Sequence, residues 1–181
     1  AQIFSYFDED QQIEIVETCN RQEVSELITD MPADDWEKDM AVNLNQPFYR
    51  ARAAMAERDV DVLLLSVGAD LPWLCGYEAM PLERLTLLIV PREGDARLLV
   101  PFLEAPRVVD RPDVFEMLTW RDGEDPIAIA ADLIGAAGTA AIGDQTWAGF
   151  LVDFTSAMPG TSFSRASAIT APLRMVKDAA E

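Results

Sequence analysis

The chain contains no histidine among its 181 residues, and this absence restricts the chemistry open to it. Ser-His-Asp and Cys-His nucleophilic systems need an imidazole base, so both are excluded, as are zinc sites that contain histidine. Only two lysines occur, Lys38 and Lys177, and their strongly polar surroundings give no reason to expect a neutral amine that acts as a base. Any catalysis would therefore depend on Asp and Glu, or on residues beyond this chain.

Two groups of carboxylates are spaced closely enough to suggest a site. The run DED at residues 8–10 could bind Mg²⁺, which prefers oxygen ligands, but a solvated helix start explains it more simply. In the stretch RDGEDP at residues 121–126, we interpret Asp125 as the N-cap of a helix that begins near Pro126. Neither group predicts a catalytic residue or a metal ligand in this chain.

Gly135 and Gly138 have a spacing that resembles a phosphate-binding loop. Such a loop follows a strand and opens a helix, whereas the pattern here places a helix before the glycines and a strand after them. We therefore interpret Gly135 as the C-cap of a helix. Trp120 and Trp147 are interpreted as packing residues at the ends of elements.

A more promising stretch is PWLCGYEAMPLER, residues 72–84, which we expect to connect two strands. It carries Trp73, Tyr77 and other apolar residues, more than a solvated connection normally has. We predict that Trp73, Tyr77 and Arg84 form a functional surface. The alternative is that Trp73 and Tyr77 belong to the core while Arg84 pairs with Glu83 or Glu78.

The charge distribution divides the chain into two parts. The net charge is −18, which argues against nucleic acid or an anionic membrane as a partner. Residues 1–45 hold 12 of the 32 acidic residues and two of the 14 basic ones. No apolar run of membrane-spanning length and no signal peptide is evident, so we expect a soluble, cytoplasmic protein. Cys19 and Cys75 lack a C-x-x-C arrangement and are interpreted as reduced, buried thiols.

The elements that must position these residues also differ between the two parts. Residues 1–40 predict short acidic helices. From Gln46 onward, helical and strand-like segments alternate, with one hairpin about the REGD turn at residues 92–95. Helical segments include residues 103–111 and the amphipathic start at residues 47–60, whose apolar face is expected to carry Phe48, Ala51, Met55 and Ala56. This alternation predicts an α/β fold, a mixed sheet with helices on both faces, preceded by a short all-α segment.

The first 36 residues resemble the acidic N-domain of MgtE-type magnesium transporters, on the stretch IFSYFDEDQQIEIVETCNRQEVSELITDMPADD. This resemblance implies an alternative function, a Mg²⁺-responsive or protein-interaction module in residues 1–40. A fusion of two unrelated domain fragments is a further alternative.

Residues 44–181 resemble the N-terminal domain of the creatinase, prolidase and Xaa-Pro aminopeptidase family. The segment that carries the resemblance is DLPWLCGYEAMPLERLTLLIVPREGDARLLVP, residues 70–101. Its matching positions are Asp70, Trp73, Leu74, Gly76, Tyr77 and Pro101. The resemblance implies a three-layer α/β/α domain over residues 44–172, followed at 173–181 by the start of a linker helix to a catalytic domain.

The resemblance also implies a function for this domain. Catalysis would depend on a catalytic domain absent from this chain. In that domain, two Asp, one His and two Glu bind a pair of divalent metals (Mn, Co or Zn). This domain would be non-catalytic, would support a homo-oligomer such as a dimer, and would close the cleft in which the catalytic domain binds a peptide substrate. Trp73 and Tyr77 would pack on the substrate or an interface, and Arg84 would pair with a carboxylate.

Overall fold

A six-stranded mixed sheet organises the computed structural model, which describes residues 47–112 and 114–175. The strands are β1 (Val62–Leu65), β2 (Leu87–Pro91), β3 (Ala96–Pro101), β4 (Phe115–Trp120), β5 (Thr139–Ile142) and β6 (Ser162–Arg165). The helices are α1 (47–57), α2 (Asp70–Cys75), α3 (Pro126–Ile134), α4 (Ala148–Ala157) and α5 (Ser167–Arg174).

Predictions for residues 1–40 lie outside the described residues. They include the acidic helices, the carboxylate run at 8–10, Cys19 and the resemblance to the magnesium transporter domain. Most of the predicted linker helix at 173–181 lies outside them as well. Where it is described, that helix forms part of α5, which begins at Ser167 and contains Pro172.

Five of the six strands run in the same direction. The strand order is β4-β3-β2-β1-β5-β6, and β2 alone runs antiparallel to its neighbours. The carboxyl ends of the other five strands therefore meet at one edge, together with the amino end of β2. We call this edge the carboxyl edge.

Strand β1 shows why the sheet must be covered on both faces. Leu63 and Leu65 point into the core beneath α1, α2 and α5, whereas Val62 and Leu64 point into the core beneath α3 and α4. Successive strand residues face opposite sides of a sheet, so a strand buried at every position reads as a continuous apolar run. The predicted three-layer α/β/α fold with a mixed sheet is confirmed.

The hairpin and the boundaries of α3 follow the predicted turn and cap residues. The β2–β3 connection passes through Gly94, whose φ of 93° favours glycine. The Asp125 carboxylate accepts hydrogen bonds from the backbone N–H groups of Ile127 and Ala128, at 2.9 and 3.1 Å, as an N-cap does. Gly135 ends α3 with a φ of 68°. These predictions are confirmed.

Two helix predictions need correction. In the segment 103–111 only a single 3₁₀ turn forms, Ala105–Arg107, and Val108 already has extended backbone angles. Pro112 disfavours helical backbone angles at Arg111, so a helix could not reach the end of the segment, but nothing in the structure explains the earlier stop at Arg107. On α1, Ala54 rather than the predicted Ala56 faces the core.

Candidate functional site

The carboxyl edge gathers the segments that carry the predicted surface. They are the loop at residues 76–86, the turn at 102–108 after β3, and the turn at 121–125 after β4. In open α/β sheets, ligands bind in crevices outside the carboxyl ends of the strands. The geometry of this edge therefore decides what the domain can do.

Trp73 lies on α2 and not in an open loop, because residues 72–75 of the predicted connection belong to this helix. Its side chain is half-buried and packs against the core beneath α1, α2 and α5. Gly76 ends the helix with a φ of 72°, and its N–H donates to the carbonyl of Pro72 at 3.0 Å. The ring of Trp73 thus combines a packing role with partial access to the surface.

Tyr77 is buried, with 5% of its surface exposed, so its ring is not available to stack on a ligand in this structure. Its hydroxyl donates to Oε2 of Glu104 at 2.9 Å, and Nη1 of Arg107 lies 2.6 Å from the same oxygen. Burial first, and then this hydrogen bond, raise the pKa of Tyr77 to about 12. The phenol therefore stays protonated and anchors the loop to the turn after β3.

Arg84 makes a two-point contact with Asp122. Its Nη1 lies 3.1 Å from Oδ1, and its Nη2 donates to Oδ2 at 3.3 Å. The expectation that Glu83 or Glu78 would pair with Arg84 is wrong, since the partner lies beyond β4 in the sequence. Nearby, the indole N–H of Trp120 donates to the carbonyl of Leu85 at 2.9 Å. The end of the loop is therefore tied to the turn at 121–125.

Exposed apolar side chains lie on both the loop and the turn after β3. Met80 and Leu82 on the loop are 45% and 39% exposed, and Phe102 and Leu103 on the turn are 44% and 69% exposed. We call these four residues the apolar patch. The guanidinium of Arg121 lies 3.8 Å from the ring centroid of Phe102, within range of a cation–π interaction.

The contribution of Phe102, Leu103 and Arg121 is absent from the sequence predictions. The register of β3 and β4, which aligns Pro101 with Trp120, brings the turns after these strands side by side. A sequence signal did exist, because two apolar residues directly follow the proline that ends β3.

A second polar cluster at the carboxyl edge is structural. The Asp144 carboxylate accepts from Nε of Arg165 at 2.8 Å and from the hydroxyl and backbone N–H of Ser167, at 2.8 and 3.2 Å. The hydrogen bond from Arg165 is the main reason that the pKa of Asp144 lies below its usual value. Because Ser167 is the first residue of α5, this cluster fixes the start of that helix.

Within the residues that the structure describes, the thiol of Cys75 is buried. Burial raises the pKa of the Cys75 thiol to about 11, so it stays protonated, and it donates to the carbonyl of Leu71 at 3.1 Å. Within residues 47–112 and 114–175, no group of three or more Cys, Asp or Glu side chains is arranged to hold a metal ion. In the same residues no helix is long and apolar enough to cross a membrane.

Comparison with known proteins identifies the family of this domain. The pattern of the creatinase/prolidase N-terminal domain family matches residues 48–176. The probable dipeptidase PepE of Mycobacterium tuberculosis is 30% identical over 135 residues, which are 72% of this chain and 36% of that protein. The chain therefore spans about a third of the length of the curated relatives that it matches.

Solved structures agree. The dipeptidase PepE of Mycobacterium ulcerans is 30% identical with a TM-score of 0.69, covering 78% of this chain and 39% of that one. The N-terminal domain of an Xaa-Pro dipeptidase from Lactobacillus brevis has a TM-score of 0.61 at 19% identity, covering 71% of this chain and 98% of that one, and supports the fold alone. With most of its length matched, the chain belongs to the creatinase/prolidase N-terminal domain family.

Proposed function

We propose that this chain is the non-catalytic N-terminal domain of an Xaa-Pro dipeptidase-like or aminopeptidase-like metallopeptidase, and that its carboxyl edge closes one side of the substrate cleft. The observation that supports this most strongly is the composition of that edge. It combines the exposed apolar patch with arginines already held in place, Arg84 by Asp122 and Arg121 by Phe102. Apolar surface of this kind favours a covering partner or ligand.

The metals that such a peptidase would use do not fit the described residues. No cluster of oxygen, nitrogen or sulfur ligands is present there to hold a pair of divalent cations. We therefore assign the metal pair, Mn, Co or Zn, to a catalytic domain outside this chain, and derive no step through it here. The role of the present residues is to pack on the peptide and to exclude water from the cleft.

Association of subunits is the second part of the proposal. Aromatic residues, Met and Arg are enriched in protein interfaces, and the carboxyl edge has all three exposed or half-exposed at Phe102, Met80 and Arg84. This composition supports a homo-oligomer, such as a dimer, in which the edge contacts the cleft of the same or a neighbouring subunit. A cytoplasmic location remains a prediction.

Kinetics of the longer protein, with its catalytic domain, would test the proposal. The variant Leu103→Ser changes an exposed residue of the apolar patch, and Val152→Ser changes a similarly exposed apolar residue on α4. With an Xaa-Pro dipeptide as substrate, we expect Leu103→Ser to raise KM several-fold with the melting temperature nearly unchanged, and Val152→Ser to leave KM unchanged. Equal KM values for both variants and the parent would refute the cleft role of the patch.

The isolated chain supplies a complementary test. It should hydrolyse no Xaa-Pro dipeptide when Mn²⁺, Co²⁺ or Zn²⁺ is added, because the described residues offer no site for a metal pair. Turnover that a chelator abolishes, in a preparation free of contaminating peptidase, would contradict the assignment of catalysis to another domain.

A further inference from the structure

An ion pair joins the helix that carries Trp73 to the last helix that the structure describes. Nε of Arg174 lies 2.7 Å from Oδ1 of Asp70. Asp70 is the first residue of α2 and Arg174 is the last residue of α5, so the contact connects elements from opposite ends of the domain sequence. The proposed function gives this pair no role.

The surroundings of Asp70 make its carboxylate dependent on Arg174. The Asp70 side chain is only 15% exposed, and its Oδ1 is shielded from water without a well-aligned hydrogen bond from any described residue. The Arg174 contact is therefore mainly an attraction between charges. The pair is partly buried, since the Arg174 side chain is 33% exposed. Removing the guanidinium would still leave the shielded carboxylate without its counter-charge, so the loss should displace Asp70.

Helix α2 is short enough to pass such a displacement to the loop at 76–86. It has six residues, and Tyr77 follows directly after the Gly76 that ends it. The hydroxyl of Tyr77 in turn holds Glu104 on the turn after β3. A shift at Asp70 would therefore change the positions of Trp73 and Tyr77 together.

Helix α5 is held to the same core, so its end is a defined anchor for Arg174. Ile169 and Thr170 are buried, and Leu173 packs against the core beneath α1, α2 and α5. The family match ends at residue 176, just after this helix. The contacts with the core therefore fix the orientation of α5 close to the end of the matched domain.

We propose that Asp70 and Arg174 are a positioning pair that couples the orientation of α5 to that of α2 and the loop at 76–86. The coupling itself follows from the contacts described here, and only its consequence for a substrate cleft rests on the proposed function.

Hydrogen exchange measured by mass spectrometry on the 181-residue chain would test this coupling. We expect Arg174→Gln to raise exchange in peptides covering residues 70–80 by about tenfold, a change of about 1.4 kcal/mol in local opening, with β2 and β3 unaffected. Arg174→Lys should retain most of the protection, because the ammonium restores the charge. Arg97→Gln is the matched control, since it breaks a pair with the exposed Glu116.

A double-mutant cycle separates the pair from other effects of the aspartate. Asp70 also lies in the first turn of α2, where a carboxylate interacts favourably with the helix dipole, so Asp70→Asn alone would lose more than the pair. We expect the double variant Asp70→Asn/Arg174→Gln to show less exchange than the two separate effects combined would give.

The proposal would be overturned if exchange in residues 70–80 of Arg174→Gln stayed within about twofold of the parent, or if it rose uniformly over the whole chain, since a local coupling is expected. It would also be overturned if the effects of Asp70→Asn and Arg174→Gln on exchange were independent in the double-mutant cycle. The measurement needs no substrate. Absence of peptidase activity in the longer protein would therefore refute the proposed function without affecting this result.

Discussion

Replacement of Tyr77 by phenylalanine removes one buried oxygen from the carboxyl edge and tests how the loop is anchored. The hydroxyl donates to Glu104 at 2.9 Å, and a hydrogen bond to a charged group contributes about 1.5–3 kcal/mol to stability. Glu104 keeps Arg107 at 2.6 Å when the hydroxyl is lost. We therefore expect a decrease of about 1.5–2 kcal/mol in the free energy of unfolding, at the lower end of that range.

The same hydroxyl should make the free energy of unfolding depend on pH in the alkaline range. The pKa of Tyr77 is raised from 10.0 to about 12 in the folded state, chiefly by burial. Because the folded pKa is the higher one, the stabilisation is complete below pH 10 and is lost as the pH rises through 12. The Tyr77→Phe variant lacks this group, so its stability should fall less over that interval.

Urea denaturation at neutral pH and spectrophotometric titration of tyrosine absorbance would measure both effects. Tyr49→Phe is the matched control, because Tyr49 is 58% exposed and its replacement should leave the unfolding free energy unchanged. An unchanged unfolding free energy in Tyr77→Phe, or a parent protein in which no tyrosine titrates late, would refute the assignment of a buried, hydrogen-bonded hydroxyl.

Two further substitutions test packing and charge elsewhere. Trp73→Ala should lower the free energy of unfolding by about 2–3 kcal/mol in a thermal or urea melt. This loss is smaller than for a fully buried tryptophan, because the side chain is half-buried against the core. A loss near zero would contradict that packing. Asp144→Asn should make the free energy of unfolding fall less as the pH is lowered. In the folded protein the pKa of Asp144 lies below its ordinary value of 3.8, so its stabilisation is present above that pH and is lost as the pH falls through the folded pKa. If the free energy of unfolding fell equally with acid pH in the parent and the variant, the contacts from Arg165 and Ser167 would not stabilise the folded protein.

Local sequence patterns were sufficient for much of the fold. The apolar run at β1, the turn around Gly94 and the caps at Asp125 and Gly135 each depend on residues close in sequence, and the structure confirms them. The helical pattern at 103–111 was a local failure. Only one 3₁₀ turn forms, Ala105–Arg107, and nothing in the structure explains why it ends at Arg107.

The candidate site was less predictable because its contacts are long-range. Arg84 pairs with Asp122, and Tyr77 with Glu104, across connections that only the strand order brings together. Charge pattern alone favoured the nearest glutamates as partners of Arg84. A single sequence indicates where the strands lie but not which strands are neighbours in the sheet, so these pairings could not be derived from it.

Photoaffinity labelling of the longer protein would test the central claim, that the carboxyl edge faces the substrate cleft. A photoreactive, non-hydrolysable Xaa-Pro analogue would be cross-linked and the labelled peptides mapped by mass spectrometry. We predict labels within residues 76–86 or 102–108, competed by an unlabelled Xaa-Pro dipeptide. Labels confined to the catalytic domain, or found in this domain only at residues 135–138 on the opposite edge of the sheet, would contradict the proposal.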